Sequence, residues 1–94
     1  MQVAVKDSKQ LGQLVRLVRK AQRLDQVAAA SLSANGTTFL SDFENGKATV
    51  ELGRVLRVLD MLGIRIHIDL PIERVHLTKT QQQQLATLLQ DAGA

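Results

Sequence analysis

Residues 64–70 read Ile-Arg-Ile-His-Ile-Asp-Leu, apolar at every even position and polar at every odd one. A strict period of two puts all four apolar side chains on one face of an extended segment and specifies a half-buried strand. Pro71, which has no backbone N–H to give to a ladder, stops it. Nothing else in the chain alternates in this way. A lone strand leaves its backbone donors and acceptors without partners, so this pattern restricts what the chain can become. The economical solution is pairing with the same strand of a second copy across a two-fold axis. A homodimer with Ile64, Ile66 and Ile68 at its seam is the expectation.

The rest of the chain has helical periodicity. Lys9 to Arg23 reads as an amphipathic helix: Ser8 is a candidate cap, and Leu11, Leu14, Val15, Val18 and Gln22 share one face. Arg16, Arg19, Lys20 and Arg23 fall on the opposite side. Asp25 precedes a short alanine-rich helix from Gln26 to about Leu32, and Ser33-Ala34-Asn35-Gly36 is a turn signal. A third helix runs from Thr37 to Phe43 or Glu44 and ends at Asn45-Gly46, both tolerant of left-handed backbone. A fourth, capped by Thr49 and closed by Gly63, carries the stripe Leu52, Val55, Leu56, Leu59 and Leu62. Thr78 or Thr80, each with glutamine three residues on, resembles a capping box for a last helix from about Lys79 to Asp91. Its apolar stripe is Leu85, Leu88, Leu89 and Ala92, and Gln81 to Gln84 reads as a solvated face.

Ninety-four residues suffice for one core. With two aromatic residues, Phe39 and Phe43, that core is built from aliphatic side chains. The absence of cysteine excludes disulfides and thiolate-bound zinc. No apolar run reaches the ~20 residues of a membrane span and no signal-peptide pattern opens the chain, so a cytoplasmic protein is expected. His67 and His76 lack further ligands at suitable spacing, which speaks against a metal. Asp42 and Glu44 diverge on a helix and form no catalytic pair. With no nucleophile–base set and no phosphate-cradling glycine loop, neither an enzyme nor a cofactor is expected.

Charge is unevenly spread. Residues 1–24 hold six basic side chains (Lys6, Lys9, Arg16, Arg19, Lys20, Arg23) against Asp7, a net +5, which leaves −2 for the remainder of a chain carrying +3. A basic first helix suits a phosphate backbone, and equally an acidic protein or solubility. Two short helices joined by a tight turn and flanked by longer amphipathic ones make a helix-turn-helix. Ala30 is small where the two short helices would cross, and Leu40 and Phe43 would anchor the third helix. Gly36, Thr37, Thr38 and Ser41 are then left facing outward at the end that enters a major groove in this motif.

The run Phe39-Leu-Ser-Asp-Phe-Glu-Asn-Gly-Lys47, Leu24, Gln26, Ala30 and the segment Thr49 to Gly63 resemble the Cro/repressor-type (XRE) helix-turn-helix family, and within it the HipB-type antitoxins. The resemblance covers roughly Leu11 to Leu70. It implies a mainly α, lambda-repressor-like bundle of four to five helices with one C-terminal strand pairing across a homodimer. Residues 1–71 would form the DNA-binding and dimerisation domain, and 72–94 a tail with a short helix. It further implies a repressor of its own operon that binds double-stranded operator DNA and a HipA-like serine/threonine kinase toxin. By position, Gly36, Thr37, Thr38 and Ser41 would face base edges, and Gln26, Asn45 and Lys47 would contact phosphates.

Two departures stand out. Ala34 and Asn35 replace the usual glycine and aliphatic residue of the turn, and a buried Asn35 without partners would cost about 1–3 kcal/mol. The groove-facing positions Gly36 to Thr38 hold no side chain able to read guanine or adenine with paired hydrogen bonds. Reliance on phosphate contacts and DNA shape is therefore expected. The alternative is a protein-interaction module that holds a toxin or kinase partner and reads DNA weakly.

Overall fold

The first helix is capped by Asp7 rather than Ser8: its carboxylate accepts a hydrogen bond from the Gln10 backbone N–H at 2.7 Å. The computed structural model describes residues 1–93, and its elements are α1 (Ser8–Ala21), α2 (Gln26–Leu32), α3 (Thr37–Glu44), α4 (Leu52–Met61), a 3-10 turn (Arg74–His76) and α5 (Lys79–Gly93). Asp25 caps α2 as the sequence suggests, accepting from the Ala28 N–H at 2.7 Å. Thr49 does not cap α4. That place falls to Glu51, whose carboxylate turns to the Arg54 guanidinium at 3.0 Å instead of a backbone N–H.

All four helices of the bundle end in the same way. The residue after each C-cap has positive φ: Arg23 (60°), Ala34 (57°), Gly46 (91°) and Gly63 (77°). In each case its N–H bonds the carbonyl three residues back, and the next N–H reaches the carbonyl five residues back, as in Asn35 to Ala30 at 2.8 Å and Ile64 to Leu59 at 2.8 Å. This is the Schellman arrangement, and it satisfies carbonyls that a helix end would otherwise orphan. Asn45 keeps φ at −86°, so Gly46 alone supplies the left-handed residue after α3.

Packing runs through the pairs α1–α3, α2–α3 and α2–α4. Val15, Ala29, Ala30, Leu40, Phe43, Val55, Val58, Leu59 and Leu62 form the buried core, with Leu11, Val18, Leu24, Phe39 and Ile64 packed against it. Gly12 lets α1 reach α3, because a Cβ there would land on the Phe43 carbonyl oxygen. The α4 stripe is shifted from the one expected. Val58 belongs to it, whereas Leu52 and Leu56 lie beyond the reach of the neighbouring helices and are exposed. Gln22, which fell among apolar positions of α1, is there to hydrogen-bond: its amide donates to the Leu62 carbonyl at 2.7 Å, tying the ends of α1 and α4 together.

Beyond Ile64 the chain leaves the core. No strand forms over residues 64–70 among the described residues, because a strand exists only through backbone pairing and nothing within this chain pairs with that segment. Ile66, Ile68 and Leu70 are exposed. Thr78 caps α5 through a capping box: its hydroxyl accepts from the Gln81 N–H at 3.1 Å, and the Gln81 side chain accepts from the Thr78 N–H at 3.0 Å. Leu88 and Leu89 are exposed, and Ala92 of the expected stripe lies outside the described side chains, as Ala94 lies outside the described residues. Among the described residues no helix is long and apolar enough to cross a membrane.

Candidate nucleic-acid interface

Helix α3 has two unlike sides. Leu40 and Phe43 are fully buried and fix it to the bundle, and Phe43 stacks with Phe39 at a centroid distance of 6.2 Å. The other side is free. Gly36, Thr37 and Thr38 are exposed and Ser41 is half-buried, all four at the N-terminal end of α3. Asn45 continues this side one turn further, its amide 3.4 Å from the Ser41 hydroxyl. The structure thus brings together Gly36, Thr37, Thr38, Ser41 and Asn45, as a surface of small hydroxyl and amide groups with no long donor among them. Lys47, just past α3, is exposed and leans toward Asp42 at 3.6 Å. That solvated pair is too loose to hold it.

The turn before α3 is held by a hydrogen-bond set that the sequence did not disclose. Asn35 is half-buried, yet its amide donates to the Ser33 carbonyl, the Ser33 hydroxyl and the Arg54 carbonyl, each at 3.2 Å. Its side-chain oxygen accepts from Arg57 at 3.2 Å, and Arg57 also donates to the Ser33 carbonyl at 3.3 Å. The substitution of an aliphatic residue by Asn35 is therefore compensated, and the direction in which α3 leaves the turn is tied to α4. Arg54 adds a contact over the Phe39 ring at 5.9 Å.

Behind α3 lies a buried ion pair. Arg19, expected on the solvent face of α1, is only 5% exposed, and Glu44 only 3%. Two guanidinium N–H groups donate to the two Glu44 oxygens at 2.7 and 2.9 Å, and a third to the Leu24 carbonyl at 2.7 Å. Gln26 completes the set by donating to Glu44 at 3.1 Å. Gln26, read as a phosphate contact, thus links the N-terminus of α2 to the end of α3. The signal for Arg19 was its position: four residues after Val15, it falls on the core-facing turn despite its charge. Hydrogen bonding to Glu44 raises the Arg19 pKa above its ordinary value, with the Glu44 and Asp25 charges adding to this and burial opposing it. The sign follows. A raised cationic pKa contributes stability that is complete below the ordinary arginine value and is lost only as pH rises through the folded one. Arg19 is therefore charged throughout the range in which such a protein works.

No protein-family model matches the chain. An uncharacterized HTH-type transcriptional regulator of Sinorhizobium fredii (strain NGR234), y4mF, is 44% identical over 70 residues, which are 74% of this chain and 92% of the relative. Solved structures that share the fold include chains from a HipA–HipB–O2–O3 complex and from a HipB–O4 20mer complex. Each has a TM-score of 0.68 and 20% identity, covering 76% of this chain and 100% of the other. The likeness to these chains is one of fold. The relative in Sinorhizobium fredii is similar in sequence along nearly its whole length. The chain belongs to the family of HTH-type transcriptional regulators.

Proposed function

We propose that this protein is a homodimeric, DNA-binding repressor that controls its own operon as the antitoxin of a HipA-like kinase toxin. The observation that carries the proposal is the two-sidedness of α3, buried through Leu40 and Phe43 and open along Gly36, Thr37, Thr38 and Ser41. A helix held this way, with its N-terminal end exposed, is what major-groove reading requires. Asn45 and Lys47 would contact phosphates on either side of it, and Gln26 would do so through the amide hydrogen not given to Glu44. The solved HipB chains come from complexes with HipA and with O-numbered sites, and their fold supports the same pairing of tasks here. Residues 1–71 would bind DNA and dimerise, with Ile64, Ile66 and Ile68 of paired strands at the two-fold seam. Residues 72–94 would serve as a tail.

Thr37 and Thr38 offer methyl and hydroxyl groups rather than paired donors, so base discrimination would be modest and phosphate contacts would supply most of the affinity. The test is a mobility shift of the protein on its own upstream promoter DNA and on an unrelated duplex, at two salt concentrations. Selective, salt-sensitive binding that is blunted by combined Thr37→Ala and Ser41→Ala substitution is expected. Weak binding, equal on both duplexes, would favour a module that mainly holds a protein partner.

A further inference from the structure

The basic charge of α1 is a sequence feature that the proposed interface left unused, and the folded chain sorts it. Arg19 is withdrawn into the core by Glu44. Lys9, Gln13, Arg16 and Lys20, spaced by four, three and four residues, form a single stripe along the outer face of α1. The stripe runs about 16 Å at the rise of an α-helix. All three cations are exposed, and among the described residues no ion pair reaches any of them.

Position decides what the stripe is for. It borders an open cleft whose opposite wall is the end of α3, including Asn45. Asn45 lies on the same side of α3 as Ser41 and Thr38, the side open to solvent. At its other end the stripe abuts the turn after α3, since any side chain at Gly46 would meet Lys9. The surface is therefore continuous from the exposed end of α3, through Asn45, onto the cations of α1. Glu44, the acid in that wall, is already neutralised by Arg19, so nothing there opposes an approaching anion.

We infer that Lys9, Arg16 and Lys20 form a phosphate-tracking stripe that carries duplex backbone past α3 and lengthens the DNA footprint of each subunit. The inference rests on the DNA-binding reading above. A phosphate backbone fits better than an acidic protein surface, because the stripe is regularly spaced, holds a single exposed apolar side chain in Leu17, and is joined to the expected reading face.

The experiment compares the full chain with the triple variant Lys9→Gln, Arg16→Gln, Lys20→Gln, on promoter and unrelated duplexes, across a salt series. A control variant removes the same charge elsewhere, through Arg65→Gln, Arg74→Gln and Lys79→Gln. Losing three phosphate contacts per subunit is expected to flatten the slope of log affinity against log salt by about 2.7 per subunit bound. Affinity for both duplexes should fall by the same factor, and the nuclease footprint should shorten at its outer edges. The control should keep the parent slope and footprint. An unchanged slope in the triple variant would overturn the inference and leave the stripe to a protein partner or to solvent. Equal flattening in the control would also overturn it, since net charge alone would then account for the loss. If the parent chain binds neither duplex, the DNA-binding reading itself falls and the stripe falls with it. Binding by the parent with no change in the triple variant rejects the stripe alone.

Discussion

Residues 8–63 and residues 64–91 use similar side chains to opposite ends. In the first region nine apolar residues are at most 4% exposed, whereas in the second none of the described apolar residues is buried. Both regions contain well-capped helices with an apolar stripe, so helix formation does not separate them. The separation comes from connection. Turns of a few residues return α2, α3 and α4 onto one another, and left-handed residues set each return angle. Beyond Ile64 none of the described side chains is buried, and Ile66, Ile68, Leu70, Val75, Leu88 and Leu89 stay at the surface. An apolar face spread over so small a chain is where the proposed dimer would form.

Substitutions can test that contrast. The largest effect is expected from Arg19→Met, which strands the buried Glu44 carboxylate. Unfolding free energy should fall by about 3–5 kcal/mol, and adding Glu44→Leu should restore much of it. Recovery of nothing by the double variant would mean that the pair is needed for packing rather than for charge balance. Gly12→Ala comes next, because its Cβ needs the place of the Phe43 carbonyl and α1 must move off α3. A loss of about 1–3 kcal/mol in denaturant titration is expected. A neutral result there would show that α1 is held less tightly than its position in the core requires.

A smaller change of the opposite sign is expected for Ala34→Gly. Relief of a left-handed alanine is worth about 1–2 kcal/mol, and part is returned as unfolded-chain entropy, for a net gain of about 0.5–1 kcal/mol. The smallest effect on the single chain is expected in the outer region. Ile66→Asp, at a side chain 53% exposed, should shift its unfolding by less than about 0.5 kcal/mol. It should nonetheless remove the dimer from a sedimentation profile. A stable dimer in that variant would place the seam elsewhere, and a large loss of monomer stability would erase the contrast between the two regions.

Much of the helix-turn-helix was legible in the residues. Asp25 before an alanine-rich run, a turn at 33–36, and Leu40 and Phe43 three apart were enough to set α2 and α3 and to choose the free side of α3. Local chemistry governs such features, because caps, turns and periodic stripes act within four residues of one another. The Arg19–Glu44 pair was not legible in the same way. Its partners are 25 residues apart, and the helical-face reading placed Arg19 with its exposed basic neighbours. Asn35 likewise looked like a cost until Arg54 and Arg57, 19 and 22 residues away, came round to meet it.

The sequence by itself determined the order of the helices, the cap at Asp25 and the family to which they belong, since each of these is written in short-range patterns. Tertiary structure decided which charges are available. It withdrew Arg19 into the core, engaged Gln26 with Glu44, fixed the turn through α4, and left Lys9, Arg16 and Lys20 in line with the open side of α3. Solvation is the physical reason. A charge is free to bind a ligand only where the fold leaves it in water and unpaired, and that depends on contacts between residues distant in the chain.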